Sequence, residues 1–315
     1  MDIPQELKEE IEKITFGIKH SKIIEDAQLI SKKYRENSGK GEKIVTKTSE
    51  SIAYEISRMP STYCAIYSAL SQSLKKYNKD IKSVLDVGAG TGAATWAVTN
   101  LIDVDKIICL EREEEMRKVG KQLMDKKITN VEWKSFDLKQ DNIQEKADLV
   151  IASYVINELT EEDRKNAIQK LWESTAGILL IIEPGTPEGF RHILNARNML
   201  REQGANILSP CVHSNECNID KNDWCSFYVR VARSGIQRQA KKGELGYEDE
   251  KFSYIAFSRT EAKKNEAVVL RHPQIGTGHV KVKVCTLSGI EERIYTKKDK
   301  EIYKKARKLD AGDVI

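Results

Sequence analysis

Two groups of residues in this sequence have types and spacings that can support chemistry. The first is a glycine-rich turn, Gly88-Ala-Gly90-Thr-Gly92, which follows an apolar run at residues 83–87 and precedes a helix-like segment at 93–98. Glycines permit positive φ and close approach of the backbone to a ligand, and the helix N-terminus adds free N–H groups. The second group consists of four cysteines in the last third of the chain: Cys211, Cys217, Cys225 and Cys285.

The glycine turn predicts a nucleotide-like ligand at the end of a strand. The letters Gly88-x-Gly90-x-x-Ala93 fit the dinucleotide fingerprint, but a pyrophosphate has little use for the preceding carboxylate of Asp86. With Asp86 included, the turn resembles the first motif of class I S-adenosylmethionine-dependent methyltransferases, Asp-x-Gly-x-Gly-x-Gly. A carboxylate suits that ligand because it carries an ammonium and a sulfonium. Dinucleotide binding and a turn without a ligand are the alternatives.

The segments around and after the turn alternate between strand-like and helix-like patterns. Further strands are predicted at residues 106–110, 131–136, 147–152 and 177–182, and helices at 113–125 and 161–172. This alternation predicts a parallel sheet with helices on both faces and a ligand at the carboxyl ends of the strands. The residues expected to bind the cofactor lie in the turn or at those ends: Asp86, Gly88, Ala89, Gly90, Gly92, Glu111, Phe136, Asp137 and Ser153.

Several polar residues at the strand ends have specific expected roles. Glu111 should accept hydrogen bonds from both ribose hydroxyls, and Asp137 one from the adenine amino group, with Phe136 against the adenine ring. The exit of the fourth strand offers Asn157 and Glu158 as catalytic candidates. It lacks the Asn/Asp-Pro-Pro-Tyr/Phe motif with which enzymes that methylate base amino groups position the target, so the methyl acceptor is not predicted.

The region before the turn is predicted to form a helical cap. A Gly/Lys-rich link at residues 38–41 separates two of its helices. The pair Met59-Pro60 is expected to end another helix before a last one starts at Ser61, because proline disrupts a helix interior. Arg58 and Tyr63 either line the amino-acid end of the cofactor or pack between helices.

The cysteines predict a metal site. Three of them have the spacing C-x5-C-x7-C with polar residues between, and a hairpin turning at residues 276–278 brings back the fourth. Four thiolates hold either a tetrahedral zinc ion or a 4Fe-4S cluster. The wide spacing favours the cluster, because the close C-x2-C pairs of zinc ribbons are absent, and zinc is the alternative. His213 is either a further ligand or a hydrogen-bond partner of one.

Several segments then occur in an order typical of one family: Glu183-Pro-Gly-Thr-Pro187, Ala196-Arg197, Pro210-Cys211-x-His213, Asp223-Trp-Cys225-x-Phe227, Arg230-Val-x-Arg233-Ser234 and residues 246–254. Over about residues 50–310 the sequence resembles methyltransferase-like proteins associated with the small ribosomal subunit of mitochondria, together with prokaryotic relatives. The resemblance implies a methyltransferase fold, a four-cysteine 4Fe-4S cluster and a role in small-subunit assembly on ribosomal RNA. It implies Cys211, Cys217, Cys225 and Cys285 as the metal ligands. Val212 and Asn218 replace prolines usual in the family, but neither is a ligand position.

The distribution of charge is compatible with an RNA partner. The formal net charge is +4, and the basic excess lies in the last third of the chain. One basic group surrounds the cysteines: Arg230, Arg233, Arg238, Lys241 and Lys242. Arg230, Arg233 and Gln237 are predicted to share one helical face. A second group lies in the tail, interleaved with Tyr295 and Tyr303: Arg293, Lys297, Lys298, Lys300, Lys304, Lys305, Arg307 and Lys308. A solvated helix is the alternative explanation of that tail.

Together these patterns predict an α/β protein in three segments. Residues 1–80 form the helical cap, 81–203 a class I methyltransferase (Rossmann-like) core with a parallel-type sheet, and 204–315 an iron–sulfur-containing basic lobe. The expected cofactors are S-adenosyl-L-methionine and the cluster. The expected partner is small-subunit ribosomal RNA, with no membrane or DNA partner. The N-terminus resembles no signal or transit peptide, so we expect a cytoplasmic protein. It is either an RNA methyltransferase or a non-catalytic assembly factor on the same scaffold.

Overall fold

A computed structural model of the chain describes residues 1–37, 45–241, 243–261 and 264–315. The predicted link at residues 38–41 and the basic Lys242 lie outside these ranges. The described chain divides into two compact units, and each unit is made of three segments that alternate along the sequence with those of the other. The first unit comprises Met1–Ser71, Lys79–Leu180 and Val229–Glu250. The second comprises Gln72–Asn78, Ile181–Tyr228 and Lys251–Ile315.

The elements up to residue 180 belong almost entirely to the first unit. The helices are α1 (Gln5–Thr15), α2 (His20–Asn37), α3 (Thr48–Leu74), α4 (Ala93–Thr99), α5 (Glu114–Met124) and α6 (Glu161–Glu173). The strands are β1 (Ser83–Val87), β2 (Lys106–Glu111), β3 (Val131–Ser135), β4 (Ala147–Ser153) and β5 (Thr175–Pro184), whose last residues lie in the second unit. A short 3-10 helix, Ile156–Glu158, follows β4.

The remaining elements complete the sheet and add a smaller one. They are α7 (Pro187–Glu202), β6 (Asn206–Ser209), β7 (Phe227–Ala232), α8 (Gly235–Ala240), β8 (Tyr247–Ser258), β9 (Ala267–Val269), β10 (Gln274–Gly276), β11 (His279–Thr286), β12 (Gly289–Thr296) and α9 (Lys300–Ala306). A second 3-10 helix, Lys297–Asp299, directly precedes α9.

The eight-stranded sheet has the strand order β3-β2-β1-β4-β5-β8-β6, and β7 pairs with β8. The strand β1 is parallel to β2 and β4, and β2 is parallel to β3. The far strand β6 is antiparallel to β8, so the sheet is mixed rather than purely parallel. Strands and helices alternate as predicted, and the fold is that of a class I, Rossmann-like methyltransferase.

The prediction that Pro60 ends a helix is wrong. Helix α3 runs without interruption from Thr48 to Leu74 with Pro60 inside it. Proline removes one helical hydrogen bond and crowds the preceding turn. Burial of apolar side chains on both sides of the proline, including Met59 and Ile66, outweighs that cost.

The predicted helical face of Arg230, Arg233 and Gln237 is also wrong. Arg230 lies in strand β7, and helix α8 begins only at Gly235. Ser234 is the N-cap: its hydroxyl accepts from the Gln237 backbone N–H, and the Gln237 side chain accepts from the Ser234 N–H. This reciprocal cap stops the helix from extending back to the arginines.

The small sheet of the second unit is antiparallel and amphipathic. Strands β10 and β11 form the predicted hairpin, and β11 also pairs with β12 and β9. Alternate residues of β11, Val280, Val282 and Val284, are fully buried together with Ala306 of α9. Cys285 therefore points to the opposite face from Val284. Among the described residues, no helix has the length and apolarity needed to cross a membrane.

Candidate functional site

The glycine turn after β1 has the left-handed backbone that its sequence predicted. Gly88, Gly90 and Gly92 have φ of 69°, 58° and 94°. A Cβ on Gly88 would lie 2.4 Å from Cγ2 of Val155, and one on Gly92 would lie 2.0 Å from Cε of Met124. The positive φ favours glycine at both positions, and the branched Val155 side chain adds a steric requirement at Gly88, whereas the flexible end of Met124 can move away from a Cβ at position 92.

A polar pocket opens where the first four strands of the sheet end. Six of the nine predicted cofactor-binding residues line it, and so does the catalytic candidate Glu158: Gly88, Gly90, Glu111, Phe136, Asp137 and Ser153. They come from four different strand ends, as expected for a parallel sheet. Asn157, the other catalytic candidate, is not among the lining residues.

Glu111 ends β2 and is bonded to the glycine turn. Its Oε2 accepts from the Gly90 N–H at 2.8 Å, and its Oε1 accepts from the Glu113 N–H at 2.7 Å. Burial raises the pKa of Glu111 to about 7, and these two backbone donors only partly offset that effect. Each carboxylate oxygen has a further lone pair with which it could accept a hydroxyl hydrogen from a ligand.

Asp86, Ala89 and Gly92 are outside the lining of the pocket. Asp86 is fully buried, and its Oδ2 accepts from the N–H and the hydroxyl of Thr95 at 3.1 and 2.9 Å. Burial raises the pKa of Asp86 to about 6. In this structure Asp86 therefore fixes the first turn of α4, and its predicted contact with the cofactor stays a prediction.

Two tyrosines of the pocket were missed by the sequence analysis. Tyr54 comes from α3, one turn before Arg58, and Tyr154 follows β4 with a positive φ of 58°. The Tyr154 hydroxyl donates to Oε1 of Glu250 at 3.3 Å. Arg58 and Tyr63 line no part of this pocket. The helical pattern of the sequence did not show which turn of α3 reaches the pocket.

Beside the glycine turn, helix α3 buries a carboxyl group. Glu55 is fully buried near Thr91 of the turn. Burial raises the pKa of Glu55 to about 8, and the Thr91 hydroxyl acts only weakly in the opposite direction. The side chain is therefore mostly protonated at neutral pH.

The four predicted metal ligands line one apolar cavity in the second unit. Cys211, Cys217, Cys225 and Cys285 share this cavity with Arg197 and several aliphatic side chains. Burial raises the pKa of Cys225 well above its usual value, and the other three thiols act in the same direction. Backbone N–H groups of Ile219 and Val212 are directed to the sulfurs of Cys217 and Cys285 and oppose the similar rise there.

The cavity is not arranged around a single ion. Within the described ranges, no three His, Cys, Asp or Glu side chains are gathered closely enough to enclose one metal ion. His213 is buried but does not line the cavity, and its carbonyl accepts from Arg197. The structure thus places the four thiols around a common space without closing a mononuclear site.

The family described as "Mitochondrial small ribosomal subunit Rsm22" matches residues 48–315. The chain belongs to the Rsm22 family. The resemblance found in the sequence is confirmed. The human mitochondrial ribosome assembly protein METTL17 is 24% identical over 295 residues, which are 84% of this chain and 62% of METTL17. Rsm22-cox11 tandem protein 2 of Schizosaccharomyces pombe is 23% identical over 329 residues, 84% of this chain and 43% of its own length.

This member of the Rsm22 family therefore spans less than two thirds of either relative. A solved structure with a similar fold is the N-methyltransferase NodS of Bradyrhizobium japonicum. It is 14% identical, with a TM-score of 0.42 over 62% of this chain and 86% of NodS.

The buried acid on α3 generates the first prediction. The pKa of Glu55 is about 8 in the folded chain and ordinarily 4.5. The folded state thus holds this proton more tightly, so the associated stability is full below pH 4.5 and is lost as pH rises through 8. Glu55→Gln should remove that loss, on the order of 4 kcal/mol between pH 5 and 9, since a tenfold change in proton affinity is about 1.4 kcal/mol. Urea unfolding at several pH values measures it.

The control is Glu162→Gln, at an exposed glutamate on α6. The difference in unfolding free energy between Glu55→Gln and wild type should grow with pH. The unfolding free energy of the control should depend on pH as that of wild type does. A difference that stays constant from pH 5 to 9 would contradict a protonated Glu55.

Proposed function

We propose that this chain binds S-adenosylmethionine in the pocket at the glycine turn and acts, as a methyltransferase-fold protein, on the RNA of the small ribosomal subunit. The pocket contact between Glu111 and the glycine turn carries the first part of the proposal. This contact joins a buried carboxylate to the glycine backbone, and both line one cavity together with Asp137, which follows the end of β3. The Rsm22 family membership supports the ribosomal part.

Each lining residue has a role in this proposal. Glu111 would accept from the ribose hydroxyls, and Asp137 from the adenine amino group, with Phe136 against the ring. The positive-φ backbone of Gly88 and Gly90 leaves room for the ligand to approach. The cofactor supplies an electrophilic methyl group on its sulfonium. The chain's contribution to a transfer would be to hold the acceptor in line with that methyl group, a proximity effect.

Glu158 is the better placed of the two catalytic candidates, because it lines the pocket and Asn157 does not. A carboxylate there could take a proton from an acceptor nucleophile. The second candidate function is a non-catalytic assembly factor that uses the same fold to bind ribosomal RNA. The exit of β4 favours it, because Ser153-Tyr-Val-Ile-Asn157 contains no acceptor-positioning proline motif.

Calorimetric titration tests cofactor binding. Wild type should bind S-adenosylmethionine, and Glu111→Gln should weaken binding at least tenfold because a neutral amide is a poorer acceptor for two hydroxyls. The pKa of Glu111 near 7 adds a pH dependence. Wild-type affinity should fall as pH drops below 7, and that of Glu111→Gln should not. Glu162→Gln serves again as the control, and equal affinity of all three proteins would contradict the pocket assignment.

Methyl transfer to small-subunit ribosomal RNA from a strain lacking the gene then separates the two functions. Transfer that Glu158→Gln reduces supports the enzyme. Cofactor binding without transfer to any RNA supports the assembly factor.

For the second unit we propose a 4Fe-4S cluster held by Cys211, Cys217, Cys225 and Cys285. The donor set fits, since four thiols line one cavity and two of them receive backbone N–H groups, a pattern that stabilises thiolates. The wide spacing of the cysteines along the chain, with no C-x2-C pair, favours the cluster over zinc, the alternative. When bound, the cluster would link β11 to the loop 211–225 through its cysteine ligands, and this link would be sensitive to oxidation.

Metal analysis of anaerobically purified protein tests the cluster. We expect a brown protein with about four irons per chain. Cys225→Ser should lose the colour and lower the thermal stability of the chain, because the metal–thiolate bonds across the cysteine cavity are then lost. Cys64→Ser, at a buried cysteine of the first unit, controls for loss of any thiol. A colourless wild type with one zinc per chain would reverse the assignment.

The RNA-binding surface we propose is the basic tail. Three of the basic residues nearer the cysteines in sequence are engaged in ion pairs: Arg230 pairs with Asp249, and Arg233 and Lys241 both pair with Glu248. In the tail, Arg293 and Lys304 pair with acids. Five exposed lysines there have no ion pair within the described residues: Lys297, Lys298, Lys300, Lys305 and Lys308. Tyr295 and Tyr303 pack against the small sheet, so phosphate contact carries this proposal rather than stacking.

Salt dependence tests the tail. Replacing Lys298, Lys305 and Lys308 by Gln should weaken binding to small-subunit ribosomal RNA and lower the slope of log affinity against log salt by about 2, since each lost phosphate contact removes about 0.7–0.9. The matched control replaces Lys121, Lys127 and Lys165, three exposed lysines of the first unit. Equal slopes for both triple variants would mean that the tail lysines contribute only net charge.

A further inference from the structure

The four-cysteine cavity contains a buried cation. Arg197 on α7 is 2% exposed and lines the cavity beside the thiols. Its Nε has no hydrogen-bond partner, and across the described ranges its guanidinium forms no ion pair with a carboxylate. A buried charge without a counter-charge is costly, so an anion in the cavity would stabilise Arg197.

The same guanidinium holds the loop that carries two of the thiols. Its Nη2 donates to the carbonyls of His213 and Asn215 at 3.2 and 2.6 Å, between Cys211 and Cys217. Burial raises the pKa of the Cys217 and Cys285 thiols, and the charge of Arg197 acts in the opposite direction. Arg197 is thus within electrostatic reach of both ends of the thiol set.

We propose that Arg197 is the counter-charge of the cluster in this cavity. Four thiolates on a 4Fe-4S core leave the assembly negative, and reduction adds one further electron. A buried positive charge beside it favours the reduced state, because the low dielectric strengthens the attraction. Arg197 contacts no iron in this scheme: it positions the loop and sets the reduction potential. The inference rests on the cluster of the proposed function.

Another cation, Lys76, is near Cys211 and Cys285. Burial lowers the pKa of Lys76, and the two thiols act against that effect. Its side chain is partly exposed, so water screens its charge more than that of Arg197. Lys76 does not line the cavity, and we expect it to matter less.

The test compares Arg197→Met, Arg197→Lys and the matched control Arg201→Met in the anaerobically purified 315-residue chain. Arg201 lies one turn further along α7, and its Nη2 is 3.6 Å from Oε1 of Glu202. The readouts are iron and sulfide content, visible absorption and the midpoint potential from a titration with dithionite. Arg197→Met should lower the equilibrium constant for reduction at least tenfold, a shift of 59 mV for one electron. Arg197→Lys should retain most of the wild-type potential, and Arg201→Met all of it.

If Arg197→Met fails to hold iron, retention of the cluster by Arg197→Lys still supports the proposal, because charge is then what is required. Loss of iron from both variants, or a wild-type potential in Arg197→Met, overturns the counter-charge role. Neither outcome bears against the proposal that the wild type holds a cluster. An iron-free wild type overturns the cluster of the proposed function and this inference with it.

Discussion

The pocket of the first unit depends on how strand β2 holds the glycine turn. The N–H groups of Gly88 and Ala89 both donate to the carbonyl of Leu110, at 2.8 and 3.1 Å. The next residue, Glu111, accepts from the Gly90 N–H. Two consecutive residues at the end of one strand thus fix the turn at the end of its neighbour. A backbone held in the left-handed region at three glycines needs such support, since it is otherwise among the most mobile parts of a chain.

In the second unit, the main constraint is a buried positive charge in an apolar cavity. Its cavity combines four thiols, aliphatic walls and the guanidinium of Arg197. The thiols come from a loop and from β11, and the face of β11 opposite Cys285 is buried by Val284 and its neighbours. The alternation of that strand is what presents the cysteine to the cavity. Asp223, two residues before Cys225, binds Lys283 and further fixes this arrangement.

The sequence predicted the first five strands, their order along the chain and the glycine turn, because these follow from local patterns of apolar residues and glycine. It also predicted that a hairpin would return Cys285 to the other cysteines. It failed where tertiary packing outweighs local preference, as at Pro60 in α3. It also failed where a cap decides a boundary, as at Ser234. Tyr54 was missed, because distance along the chain does not show which side chains of a buried helix turn reach a cavity.

The contact between Gly88 and Val155 has a consequence for how this family can vary. The two residues lie far apart in sequence, yet a methyl group at one would occupy the space of the other. A smaller residue at 155 would relieve the clash but not the strain of a positive φ at 88, so the constraint is asymmetric. A smaller side chain at 155 leaves the turn intact, whereas any side chain at 88 is strained whatever residue stands at 155. Epistasis between these sites should therefore run in one direction only.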